Sequence, residues 1–233
     1  MLSFPLISID FGSTSIKVGE IIGKPEKKKV KKIWSEEIPD GIIQNGIIED
    51  QDKLFEILDS AFKKNKILRL KRRTSISLSS SILMYRRIVI PRSEEGNLWQ
   101  TAFYEAEQNF DANINDLYID YVDLESIEKD TMSVGIVAAS KEQVNPYIDL
   151  IKKIGLRVGV FDVDSFALIN MFKFNYDHPE KLMIIANIGG STSQLIFLGD
   201  GEFLFTRDIP VGGVSYTSKL ASDLGLSYKE AEE

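Results

Sequence analysis

Apolar and polar residues alternate along the first fifty positions in the two-residue rhythm of half-buried strands. Leu6 to Asp10 is a short apolar run, Ser15 to Ile22 alternates through Ile16, Val18 and Glu20, and Val30 to Ile38 follows a lysine-rich turn. The period then changes. Leu54, Phe55, Leu58, Ala61 and Phe62 recur at helical spacing, which predicts an amphipathic helix from Asp52 to Lys64. Strand alternation returns from Thr74 to Ser79.

A second unit begins near Ser80. Ile82 to Ile90 reads as a strand stopped by Pro91, after which Ser93 caps a helix with Glu94 and Glu95 in its first turn. The buried stripe expected for that helix is Leu98, Ala102, Phe103, Ala106 and Phe110. Strands 117–124 and 132–139 follow, and Ser140 to Gln143 form a capping box opening a helix that Gly155 ends, with Val144, Tyr147, Ile148 and Ile151 on one face. Residues 81–155 therefore form a strand, helix, strand, strand, helix insert of α+β type.

Beyond it, Val158 to Val163 is a strand, and Phe166 to Phe172 is a largely apolar helix expected to be buried. Tyr176 to Glu180 is a polar break that places His178 on a surface loop. Three strands follow (182–188, 192–198 and 202–209), the last two joined by a Gly199-Asp200-Gly201 hairpin turn. Gly212-Gly213 opens a helix with Leu220, Ala221 and Leu224 on one side, closed by Gly225. The fold class is α/β. A last capping box, Ser227 to Glu230, has only three residues after it, and a nucleated helix with no body is unfavourable. The expectation is a chain truncated within a second lobe.

Composition removes whole classes of chemistry. The 233 residues include no cysteine and one histidine, so disulfides, thiolate metal sites, thiol catalysis and a Ser-His triad are excluded. No apolar stretch approaches the ~20 residues that span a bilayer, and the N-terminus lacks the pattern of a signal peptide. A soluble protein of the cytoplasm is expected. The net charge of −7 is uneven: residues 1–90 carry 17 basic and 11 acidic side chains, residues 91–233 carry 11 and 24. The basic clusters, Lys27 to Lys32 and Arg69 to Arg73, read as a solvated hairpin tip and a solvated helix end. They lack interleaved aromatics, so nucleic acid is not an expected partner.

The chemistry-bearing feature is a repeated phrase. Asp10-Phe11-Gly12-Ser13-Thr14-Ser15-Ile16-Lys17-Val18 recurs loosely as Asn187-Ile188-Gly189-Gly190-Ser191-Thr192-Ser193-Gln194-Leu195. Each copy leaves an apolar strand, makes a Gly/Ser/Thr turn and enters a second strand. Such turns gather amides and hydroxyls in a concavity suited to phosphate oxygens, with glycine where the backbone must come close. Asp10 at a strand end suits a hydrated Mg²⁺, and Lys17 can place a point charge on a phosphate. One such turn is ordinary. Two, at the starts of two successive sheets, imply a duplicated fold that clamps a nucleotide triphosphate between its lobes.

These hairpins resemble the phosphate-1 and phosphate-2 motifs of the actin, heat-shock-70 and sugar-kinase superfamily. More narrowly, the chain resembles the PilM family of type IV pilus assembly proteins, which is related to the FtsA family of cell-division proteins. The resemblance runs through Ile38-Pro39-Asp40-Gly41, residues 45–50, Arg87 to Pro91, Glu105 to Gln108, Val137 to Lys141, Asp162 to Leu168, Phe205 to Ile209, Gly212-Gly213 and Leu224 to Ser227. It implies an actin-like, ribonuclease H-like fold with subdomain 1A in residues 1–80 and 156–180. An inserted SHS2-type subdomain 1C would occupy 81–155, and an incomplete subdomain 2A would begin at 181.

The resemblance further implies ATP and Mg²⁺ between the lobes, held by Asp10, Gly12, Ser13, Thr14, Ser15, Lys17, Asn187, Gly189, Gly190, Ser191 and Thr192, with the metal on Asp10. It implies a site under the inner membrane and, as partner, the N-terminal tail of the membrane protein PilN in a groove between 1A and 1C. Asp164 matches an acidic position that can orient an attacking water, while helix capping by Asp164 or Ser165 is the other reading of that position. Position 187 is Asn where the superfamily has Asp, so it brings no charge to a magnesium-bound water. ATP binding is therefore expected ahead of efficient hydrolysis. An ATPase or phosphotransferase of the superfamily and an FtsA-like division adaptor stay open as alternatives, and apolar surface on an incomplete second lobe would favour self-association.

Overall fold

The computed structural model describes residues 6–24, 27–69, 72–124, 130–176 and 181–233. The alternating run at the start forms β1 (Leu6–Phe11), paired antiparallel to β2 (Ser15–Lys24), which pairs in turn with β3 (Lys27–Glu37). The lysines expected in the turn lie within β3 itself, Lys27 opposite Lys24. A two-residue hairpin, β4 (Ile43–Gln44) and β5 (Ile47–Ile48), precedes α1 (Gln51–Lys64), whose N-terminus Asp50 caps by accepting the Lys53 amide at 2.9 Å. Next, β6 (Arg73–Leu78) runs parallel to β1.

The insert opens with a 3₁₀ turn at Ser80–Ile82 and continues as β7 (Leu83–Pro91), α2 (Leu98–Asn109), β8 (Leu117–Leu124), β9 (Thr131–Ser140) and α3 (Lys141–Lys153). Its strands form an antiparallel sheet in the order β7-β9-β8, and Ala102 and Ala106 of α2 pack on Ile90, Met132, Val134 and Ile136. The chain then returns through β10 (Arg157–Val163), parallel to β6, completing a five-stranded sheet in the order β10-β6-β1-β2-β3.

One face of that sheet carries the main core. Ile7, Ile9, Phe11, Ile16, Val18 and Ile76 point to the same side, as period-two alternation requires, and meet Leu54, Leu58 and Phe62 of α1. Helix α3 joins them: Val144, Tyr147, Leu150 and Ile151 belong to the same core, with the Tyr147 ring edge-on to Phe11 at 5.0 Å. So the last helix of the insert packs on the first sheet. Glu20 is buried on this face and held by Arg72 at 2.8 Å and Lys31 at 3.3 Å. Burial opposes its charge, yet the two cations prevail and hold the carboxyl below its usual range.

After β10 come α4 (Asp164–Asn175), a second antiparallel sheet of β11 (Leu182–Ile188), β12 (Ser193–Gly199) and β13 (Glu202–Ile209), then α5 (Gly213–Leu224) and α6 (Tyr228–Glu232). Asp200 and Gly201 take φ of 49° and 80°, the left-handed pair that a two-residue hairpin turn requires. Ile196, Leu198 and Phe203 bury against Ile169 of α4. Tyr85 of β7, Phe166 of α4 and Phe203 of β13 meet edge-to-face, 4.9 to 6.2 Å between centroids, so three structural units converge on one aromatic cluster.

Three expectations need correction. Helix α2 begins at Leu98 instead of Ser93, because Arg92 still extends the strand ladder to Asp130 and residues 92–97 form a 3₁₀ segment containing Gly96, a poor α-helix former. Phe103, one step off the Ala102–Ala106 stripe, is exposed. Helix α4 buries only Ser165 and Ile169 while Met171 and Phe174 are exposed, since apolar composition without a helical period assigns no buried face. Leu220 and Leu224 of α5 are likewise exposed. The His178 loop lies outside the described residues.

Candidate functional site: a two-hairpin cleft and an adjoining groove

The repeated phrase folds into two equivalent hairpins. Asp10 pairs with Lys17 across β1 and β2, and Asn187 pairs with Gln194 across β11 and β12 at the same step from each turn. One hydrogen bond closes both turns: the Gly12 amide donates to the Ser15 carbonyl at 3.1 Å, the Gly189 amide to the Thr192 carbonyl at 3.0 Å. A Cβ on either glycine would sit 2.8 Å from that carbonyl oxygen, so both turns demand glycine for the same reason.

The tips touch. Ser191 Oγ donates to Ser13 Oγ at 2.7 Å, and a Cβ on Gly190 would fall 2.5 Å from the Thr14 side chain. The first amides of α5, those of Gly213 and Val214, donate to the carbonyls of Gly189 and Gly190 at 2.9 Å, which fixes the second turn from behind. Between the hairpins lies a cleft of about 320 Å³. Asp10, Gly12, Ser13, Thr14, Lys17, Asp164, Asn187, Gly189, Gly190, Ser191 and Thr192 all line it; Ser15, alone of the residues expected there, does not.

The charges in the cleft are few and movable. Lys17 Nζ lies 3.4 Å from Asp10 Oδ2 with both side chains about half exposed, a contact that holds each only weakly. Among the described residues no cluster of three metal-ligating side chains exists. The Asp10 carboxylate, one of three that line the cleft with Asp164 and Asp208, is a donor of the kind that suits a hydrated Mg²⁺.

Asp164 begins α4 at the floor of the cleft. Its Oδ1 accepts from the Ser165 amide at 2.6 Å, the Ser80 amide at 3.2 Å and Gln194 Nε2 at 3.2 Å. Burial pushes its carboxyl up to about 6, the three donors pull against that, and the nearby Asp208 charge adds to the rise. Neither Asp164 nor Ser165 is the helix cap; that position is Val163, which has no capping side chain.

Gln194, Asp208 and Ser80 were not expected here. Gln194 Nε2 donates to Ser80 Oγ at 2.6 Å and lies 3.4 Å from Asp208 Oδ1, while Ser80 Oγ donates to Asp208 at 3.3 Å. The signal for Gln194 lay in the repeat, which aligns it with Lys17. The Asn45-Gly46 turn also lines the cleft, anchored by Tyr147 Oη donating to the Gly46 carbonyl at 2.9 Å.

A groove opens on the other side of β10. Two cavities of about 400 and 470 Å³ lie between β8, the outer strand of the insert sheet, and β10, the outer strand of the first sheet. Residues 120–124 of β8 and 159–163 of β10 line them consecutively, as strands do when they present an edge. Tyr85 lines the first cavity, its hydroxyl buried without a hydrogen-bond partner among the described residues.

Comparison with known proteins agrees with this architecture. The sequence is 24% identical to the cell division protein FtsA of Staphylococcus epidermidis, over 97% of this chain and 53% of that protein. The chain thus spans about half the length of the curated relatives it matches. Among solved structures it is similar to the PilM-PilN type IV pilus biogenesis complex, with a TM-score of 0.81 and 22% identity over 97% of this chain and 68% of that one. It is also similar to MreB5 of Spiroplasma citri bound to ADP, with a TM-score of 0.52 and 13% identity over 100% of this chain and 61% of that one. The fold is actin-like. The profile of the type IV pilus assembly protein PilM matches residues 8–233, and the chain belongs to that family.

Proposed function

We propose that this protein is an ATP-binding scaffold of type IV pilus assembly, placed in the cytoplasm beneath the inner membrane by its grip on the tail of a PilN-like membrane protein. In this reading residues 1–80 and 156–180 are subdomain 1A, 81–155 the inserted SHS2-type 1C, and 181–233 belong to 2A. The matched register of the two hairpins, with touching tips, carries the nucleotide half of the reading. The groove between two strand edges, together with the likeness to a PilM-PilN complex, supports the tail half.

The residues divide the work. Backbone amides of the two turns and the hydroxyls of Ser13, Thr14, Ser191 and Thr192 receive phosphate oxygens. Lys17 would turn from Asp10 to a phosphate, and Asp10 would hold the hydrated Mg²⁺. The metal, when bound, neutralises phosphate charge. Asn187 contributes a hydrogen bond without a second negative charge, which suits a binding protein with slow turnover.

Titration calorimetry of Mg-ATP, with EDTA as control, tests the first half. Magnesium-dependent heat that is lost in Asp10→Asn/Lys17→Ala is the expected result, and its absence from the parent protein sinks the nucleotide reading. Capture of the PilN tail by the same double variant is expected to persist, because the groove is a separate site.

The position of Asp164 favours a second reading, slow hydrolysis. A carboxyl lifted to about 6 and held in the cleft is tuned to take a proton from an attacking water. Single-turnover phosphate release that disappears in Asp164→Asn, with Mg-ATP binding retained, would support it; unchanged release would end it.

A further inference from the structure

The walls of the β8–β10 groove are apolar in Val137, Phe161 and Val163, yet carboxylates stand among them. Asp120 of β8 and Asp162 of β10 each line both cavities, so they mark the neck where the two join, one from each wall. Asp123 lines the first cavity beside them. Each neck carboxylate is bonded only locally: Asp120 Oδ1 accepts the amide of Tyr121 and Asp162 Oδ1 that of Val163, both at 2.8 Å.

Among the described residues no lysine or arginine pairs with Asp120, Asp123 or Asp162. The lysine that does line the groove, Lys173, is already held by Glu202 at 2.9 Å. Asp162 is partly buried, whereas Asp120 and Asp123 are exposed, so a cation brought by a guest meets carboxylates that lack a counter-charge of their own among the described residues. The two strand edges meanwhile offer backbone donors and acceptors to an extended guest.

We infer that this groove selects an extended, mainly apolar peptide carrying one arginine or lysine side chain, which Asp120 and Asp162 receive together at the neck. The inference rests on the proposed role of the groove as the seat of a PilN-like tail, and adds the charge that the tail must carry.

The probe is the N-terminal cytoplasmic peptide of the PilN protein from the same organism, made as the parent sequence and as variants in which each arginine becomes citrulline or each lysine norleucine. Binding is measured by fluorescence anisotropy on the intact protein. One replacement is expected to weaken binding tenfold or more on the parent protein, and to change it little on Asp120→Asn/Asp162→Asn, as a double-mutant cycle reports a direct pair. The peptide arm requires no protein variant, so a folding defect in the double variant leaves the test standing.

Tight binding that no replacement weakens, or tight binding of a tail with no basic residue, overturns the inference and leaves the peptide groove intact. Failure of the parent peptide to bind overturns both.

Discussion

Gln194 occupies the step in its hairpin that Lys17 occupies in the first, but its side chain turns the other way. Lys17 reaches Asp10 within its own hairpin, whereas Gln194 reaches across to Asp164 at 3.2 Å and Ser80 at 2.6 Å in the other lobe. One copy of the motif keeps an exposed cation paired within its own hairpin. The other has become a strut between lobes. Gln194→Ala should lower stability by ~1–3 kcal/mol, because the serine and two carboxylates lose a common donor. Urea unfolding of the two proteins checks this, and an unchanged midpoint would deny the strut any role in the resting protein.

The strut carries a pH signature. The folded protein holds the Asp164 proton up to about 6, whereas an unfolded chain releases it near ~3.9. This group therefore favours folding most below pH ~4, and its contribution, ~2–3 kcal/mol at most, is lost as pH rises towards 6. Glu20 acts oppositely: its depressed carboxyl stabilises the fold above the unfolded value and loses that contribution as pH falls below it. Unfolding free energies from pH 4 to 7.5 should flatten in Asp164→Asn relative to the parent.

Arg72→Ala should be among the most damaging single changes. It leaves Glu20, 2% exposed, with the more distant Lys31 as its remaining partner in an ion pair. A loss of ~1–3 kcal/mol is expected from the removed partner of a buried charge that Lys31 still compensates in part, read from the urea midpoint. Glu20→Gln in the same background should recover part of it.

Gly12→Ala should separate the site from the fold. The added methyl meets the Ser15 carbonyl at 2.8 Å and forces the first turn open. Mg-ATP affinity should fall at least tenfold, a loss of ~1.4 kcal/mol or more, while far-UV circular dichroism stays that of the parent.

Much of this was legible in the sequence because it depends on local pattern. Strands β1, β2 and β6, helix α1 and both Gly/Ser/Thr turns follow from alternation, helical spacing and turn chemistry within a few residues. The relation between Asp10-to-Lys17 and Asn187-to-Gln194 was visible as a repeat, and the structure confirms it in the hydrogen-bond register. What stayed hidden depends on elements distant in sequence. Ser80, Asp164, Gln194 and Asp208 converge only once two lobes are apposed, and nothing in the flanks of Asp208 announces it. Helix α3 is the last element of the insert in sequence yet serves the first core, because Tyr147 fits against Phe11 and the Gly46 carbonyl. The onset of α2 was misplaced for a different reason: the ladder bond from Arg92 to Asp130 outcompeted a serine that looked like a cap.

The near-contact of Gly190 with Thr14 sets how far the jaws of the cleft can shut. A methyl there would lie 2.5 Å from the Thr14 methyl and hydroxyl and 3.0 Å from its Cβ, so swinging the threonine aside cannot clear it. The bite of the clamp is thus gauged by one missing carbon atom. Supplying that carbon would work as a doorstop, holding the two tips apart and taking Ser13 and Ser191 out of hydrogen-bonding reach of each other.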